Sequence, residues 1–132
     1  YGPTIYPADK TSADERFAWG KQFLEGRADD SRYRHFFAVH ETEAWLLSEP
    51  QLFPSNMQHE IPVAPPESVN TQEPPAKRLD RIYERNTGRH YKKVTYGKDL
   101  FKRLDPHTAY QKCLHLKALL DEMFTLAKAA GH

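Results

Sequence analysis

The chain has a single cysteine, Cys113, in 132 residues, so no internal disulfide can form. Small secreted domains with exposed loops commonly depend on paired cysteines, so this usage points to a reducing compartment, the cytoplasm. Long apolar runs are also missing, and no stretch approaches the roughly 18 residues a membrane helix needs. The opening Tyr1-Gly2-Pro3-Thr4 is turn chemistry, not a basic and then apolar leader. It has no initiator Met either, which leads us to expect processing or further chain upstream.

Net charge is nearly absent, at +1 from 19 Lys and Arg against 18 Asp and Glu. That balance hides a segregation. From Lys77 to Arg103 ten basic side chains meet three acidic ones, a local excess of +7 that leaves about −6 elsewhere. A basic half suits a polyanion and an acidic half suits a metal ion, although solvated helix faces alone would produce the same split. Aromatics are plentiful, with seven Tyr, seven Phe and two Trp. They argue for a packed domain and against a disordered chain.

Ser12-Ala13-Asp14-Glu15 fits a capping box, and Phe17, Ala18, Phe23 and Leu24 give the following helix an apolar face ending near Gly26. Tyr33 to His40 is the best strand, because Phe36 to Val39 is continuously apolar, as in a strand covered on both faces. Ala44 to Leu47 should form a short helix stopped by Pro50. Six prolines between Pro54 and Pro75 leave an ordered wrap or a flexible excursion equally open. Pro75 then starts a helix over Ala76 to Glu84, with Asn86-Thr87-Gly88 as its stop. Tyr91 to Val94 is ambiguous, and Lys98 to Leu104 reads as one or two helical turns. Asp105-Pro106 opens the longest expected helix. Ala109, Cys113, Leu116, Leu120, Met123, Phe124 and Ala127 would cover the core from it, to about Ala130. One convincing strand is too few for an independent sheet, so missing strands upstream are expected.

The strongest chemical candidate is His40-Glu41-Thr42-Glu43, placed where the expected strand hands over to a helix. On extended backbone the two carboxylates share a side, and on helical backbone His40 and Glu43 become neighbours. Either arrangement offers oxygen ligands for Mg2+ or Mn2+, or a base beside a metal-bound water. The blander reading is a helix start, where acidic residues meet the helix dipole favourably. A second candidate joins Pro75-Ala76-Lys77-Arg78-Leu79 to Tyr91-Lys92-Lys93 as a phosphate-binding face, against the alternative of a solvated or salt-bridged surface. His35, His59, His90, His107 and His115 have no zinc-like spacing with Cys113, which falls on an apolar helix face as a buried, inert thiol.

Several landmarks together resemble a bacterial Toprim-related family known mainly as a domain of unknown function. They are Tyr1-Gly2-Pro3 with Tyr6-Pro7, Ala13-Asp14-Glu15-Arg16, and the stretch from Phe37-Ala38-Val39-His40-Glu41-Thr42-Glu43 to Ala44-Trp45-Leu46-Leu47. Pro66-Glu67, Val69-Asn70, Pro75-Ala76-Lys77-Arg78-Leu79, Tyr91 with Lys93, Gly97, Asp105 and Cys113 follow in order, so the resemblance spans essentially the whole chain. It implies a Toprim-like α/β domain, a partial sheet covered by helices with a Pro-rich irregular segment and a long C-terminal helix. The chain would be the C-terminal portion of that domain. Residues 1–53 would hold the helix, strand and acidic motif, 54–75 the Pro-rich segment, and 76–132 a basic helical region. The resemblance also implies an ABC/SMC-like ATPase encoded beside the protein and a role in defence against phage.

Carried onto this chain, the resemblance makes His40, Glu41 and Glu43 the surviving members of an acidic pocket, with Glu41 and Glu43 on Mg2+ or Mn2+. Lys77, Arg78 and Lys93 become phosphate-side groups. The expected activity is a divalent-metal-dependent nuclease, or nuclease-like effector, acting on DNA. The alternative is a non-catalytic interaction module that docks a partner ATPase or binds nucleic acid.

Overall fold

A computed structural model describes residues 6–37, 42–68 and 73–132. The chain divides into two compact units, residues 1–37 and 38–132.

The first unit is built on helix α1, Ala13–Ala28. Ser12 caps it with a complete capping box: its hydroxyl accepts from Glu15 N while the Glu15 side chain accepts from Ser12 N at 2.9 Å. The helix runs past Gly26 and stops at Asp29, which takes the left-handed conformation at φ 48°. Aromatic rings clad it. Trp19 stacks on Phe23 with centroids 4.8 Å apart, and Phe37 lies 5.4 Å from Phe17. Glu25 accepts a hydrogen bond from His35 N at 2.8 Å, holding the returning segment.

The expected α/β architecture is corrected here: the described residues are helical and contain no strand. Residues 33–37 are irregular, and residues 38–40 of the expected strand lie outside the described residues. A strand exists only through a neighbour that completes its hydrogen bonds. Tyr33 to Phe37 meets α1 in place of a second strand, and its rings pack there instead.

The second unit is a chain of short helices around one core. Helix α2 is Glu43–Leu46, followed by a tight turn at Pro50–Leu52 and by α3, Ser55–Gln58. Helix α4, Pro75–Thr87, starts with Pro75 in its first position and ends at Gly88, left-handed at φ 67°. A wide π-type turn, Lys93–Gly97, leads into α5, Lys98–Arg103. Helix α6, Pro106–Lys112, is capped by Asp105, whose carboxylate accepts from His107 N and Thr108 N. Helix α7, Leu114–Ala129, follows at once.

Leu46, Leu47, Leu52, Phe53, Met57 and Ile61 join Leu79, Ile82, Tyr83, Tyr91 and Leu100 in the core. Full burial of each aliphatic member contributes roughly 1.5–3 kcal/mol. In the Pro-rich segment, the described residues form an ordered wrap. Met57, Ile61, Glu67 and Pro75 are all buried, and Glu67 reaches the start of α7. The single long C-terminal helix also divides. Cys113, at φ −109° and ψ 99°, separates α6 from α7. Burying Cys113 in the core turns the chain there, so the spacing that joined Ala109 to Phe124 never shares one face. Ala109 and Cys113 are buried, whereas Met123 and Phe124 are 56% and 62% exposed. No helix among the described residues is long and apolar enough to cross a membrane.

Candidate functional site

Glu43 is the first residue of α2 and only 2% exposed, an uncommon position for a carboxylate. The apolar neighbours Ala44, Leu46 and Leu47 draw α2 into the core, and this short helix carries Glu43 inward with them. Lys93, 50 residues later and half exposed at the start of the π-type turn, answers the charge. Its Nζ lies 3.1 Å from each carboxylate oxygen of Glu43. Thr42 Oγ1 adds a long contact to Glu43 Oε2 at 3.5 Å. His40 and Glu41 lie outside the described residues.

Among the sequence candidates, then, Glu43 and Lys93 come together. Lys77 is on the first turn of α4, away from that pair in the chain, and Arg78 follows it. Arg78 leans toward Glu73, with Nη1 3.8 Å from Oε2, and its buried Nε has no hydrogen-bond partner among the described residues. Glu73 is the local anchor for basic side chains. Arg81 grips it with two bonds, Nε to Oε1 at 2.6 Å and Nη2 to Oε2 at 3.1 Å. Arg81, and then the neighbouring positive charges, hold the Glu73 carboxyl below its ordinary range. Glu60 anchors the next turn of α4 in the same way, accepting from Arg85 at 2.9 Å and from Asn86 at 2.6 Å. The basic stretch seen in the sequence is therefore partly neutralised by two glutamates upstream of α4.

A divalent cation is tested by what surrounds Glu43. Among the described residues no three His, Cys, Asp or Glu side chains converge. Glu43 is the one carboxylate of the motif among the described residues, and it is matched by an ammonium, so a divalent ion there would need Glu41 beside it. Its assignment to Mg2+ or Mn2+, with Glu41, stays a proposal.

Clefts on the second unit include two formed by described residues. One, about 580 Å³, is mainly apolar and includes Leu47, Pro50, Ile61, Pro66, Lys112 and Leu114 in its wall. The other, about 530 Å³, is lined by Arg89, His90, Lys92, Thr95 and Tyr96. Charge counting in the sequence registered Arg89 and Lys92 but could not separate them from the paired cations around them. The separation depends on where Glu43, Glu60 and Glu73 arrive in space.

Cys113 is fully buried beside the apolar cleft's rim residues Lys112 and Leu114, and burial pushes its thiol up to about 12. The carboxylate of Glu67 acts in the same direction. Glu67 is itself spent on α7, accepting from His115 N at 2.7 Å and Leu116 N at 3.2 Å.

No curated protein and no solved structure matches the chain. A family model described as a domain of unknown function, DUF4276, matches residues 3–123. That match runs through both units and contains every candidate residue above, and the chain belongs to this family.

Proposed function

We propose that this chain belongs to a divalent-metal-dependent nuclease, or nuclease-like effector, acting on DNA. The observation that supports it is Glu43, a carboxylate kept 2% exposed at the start of α2 and matched by Lys93. Removing a carboxylate from water costs several kcal/mol before pairing repays it. Ionisable groups held at such cost concentrate at functional sites. His40 and Glu41 stand three and two residues before it in the chain, so an imidazole and a second carboxylate lie within three residues. Glu41 and Glu43 are the carboxylates assigned to Mg2+ or Mn2+, and His40 is assigned to proton transfer. When bound, such an ion supplies Lewis-acid polarisation of a phosphodiester. The family resemblance adds an ABC/SMC-like ATPase as partner and phage defence as setting.

One observation favours the second reading, a non-catalytic module that docks an ATPase or binds nucleic acid. Lys93 already engages both oxygens of Glu43, so the pair also serves to fasten the turn at Lys93 to α2. Plasmid nicking by the full gene product, with Mn2+ or Mg2+ and with EDTA, separates the two. Metal-dependent nicking that disappears in a folded Glu41→Gln, Glu43→Gln variant supports the nuclease. Absence of nicking with the co-encoded ATPase supplied supports the module.

A further inference from the structure

Glutamate partners divide the cations between Lys77 and Arg103 into two sets. Arg81 and Arg85 are bonded to Glu73 and Glu60, Arg78 lies against Glu73, and Lys93 is held by Glu43. Arg89 and Lys92 belong, with Lys77, Lys98 and Lys102, to the set without a glutamate partner, and of that set these two share one cleft. Both are exposed, and among the described residues neither side chain has an ion pair or hydrogen bond. They line the same cleft of about 530 Å³ with His90, Thr95 and Tyr96.

Three local features build this cleft. Gly88 takes the left-handed conformation that ends α4 and turns the chain toward Arg89. Lys92 then adopts extended backbone, φ −123° and ψ 117°, so its side chain and that of Lys93 need not share a side. Lys93 goes to Glu43, and Lys92 stays with the cleft. The π-type turn then brings Thr95 and Tyr96 around to close the wall, and the Tyr96 ring is fixed 5.0 Å from that of buried Tyr83.

Among the described residues no acidic side chain lines the cleft. The nearby carboxylate of Asp80 is committed, accepting from Tyr91 N at 2.8 Å and facing His90 Nδ1 at 3.1 and 3.2 Å. Two unmatched cations, a hydroxyl and a ring in one concave site suit a phosphate group with something planar beside it.

We infer that this cleft binds the phosphodiester backbone of a nucleic-acid strand through Arg89 and Lys92, with Tyr96 as the wall beside the strand. The inference rests on the nucleic-acid element of the proposed function and does not depend on cleavage. It moves phosphate recognition away from Lys93, whose charge Glu43 matches, and from Arg78, which lies against Glu73.

The test is fluorescence anisotropy of a labelled single-stranded 20-nucleotide DNA, titrated across salt, on the full chain. The comparison is Arg89→Gln, Lys92→Gln against the charge-matched control Arg27→Gln, Lys128→Gln. The cleft variant should bind roughly ten-fold more weakly at low salt. Its slope of log K against log salt should shrink by about 1.4, two strand contacts at about 0.7 each. Tyr96→Leu should weaken binding while leaving the slope unchanged. Equal losses in the cleft and control variants, or no binding by the native protein, overturn the inference. So does inorganic phosphate that, at matched ionic strength, binds as tightly as the strand, because the cleft is then a small-anion site. Strand binding through Arg89 and Lys92 in a protein that never nicks would remove the nuclease and leave this cleft standing.

Discussion

The ammonium of Lys93 sits 3.1 Å from both oxygens of Glu43 and matches a buried carboxylate across 50 residues of chain. The pair is unequal. Glu43 is 2% exposed, while the Lys93 side chain keeps 59% of its surface in water. Removing Lys93 leaves the harder charge to satisfy. Lys93→Met should therefore cost about 1–3 kcal/mol in urea unfolding, less than a fully buried pair because solvent screens the lysine. The double variant Glu43→Gln, Lys93→Met should cost less than the sum of the singles. Additive losses would show that the two charges do not stabilise each other.

Glu67 holds α7 from outside that helix. Cys113, at the capping position, offers no side-chain cap, and Glu67 takes the amides of His115 and Leu116 instead. Glu67→Ala should lower stability by about 1–2 kcal/mol. Glu67→Gln should lower it less, since an amide oxygen still accepts one bond. Amide hydrogen exchange at His115 and Leu116 should speed up in the alanine variant before it does in α4. Uniform acceleration across both helices would rule out a local cap.

Burial raises the Cys113 thiol to about 12 from an ordinary 9.0. The native thiol should resist iodoacetamide at pH 8 and react only as the chain unfolds. The sign of the pH dependence follows from proton counting. Between about pH 9 and 12 the unfolded thiol has lost its proton while the folded one keeps it, so this contribution to stability falls as pH rises. Cys113→Ala, which has no thiol to ionise, should lose less stability than the native protein between pH 8 and 10. Parallel curves would contradict the assignment.

Gly97 closes the π-type turn against Tyr91. A Cβ there would stand 2.5 Å from Tyr91 Oη and 3.4 Å from Cζ, and the tyrosine is buried. Gly97→Ala should destabilise the protein by about 1–3 kcal/mol through overpacking. Adding Tyr91→Phe removes the nearest atom and should recover some of that loss. No recovery would place the cost in the backbone and not in the contact.

Local chemistry was legible wherever a single segment decided it. Ser12 with Glu15, Pro75 at a first helical position, Gly88 after α4 and Asp105 before α6 are all resolved within a few residues of chain. The apolar Phe36 to Val39 run misled because its pattern states a need for cover without naming the cover. The described residues of that segment found the rings of α1. The long C-terminal helix misled for a related reason. Three-or-four spacing continues through Cys113, but the fold needed that residue in the core and bent the chain to put it there.

Of the candidate site, the sequence by itself determined which charges exist and that Glu43 follows His40 and Glu41. Which charges remain available was a tertiary decision. Glu43, Glu60 and Glu73 reach across 50, 25 and 8 residues to Lys93, Arg85 and Arg81, and no local pattern encodes those meetings. Charge pairing falls off with distance in space and is blind to distance along the chain. For that reason the unmatched Arg89 and Lys92 emerged only once the helices had packed.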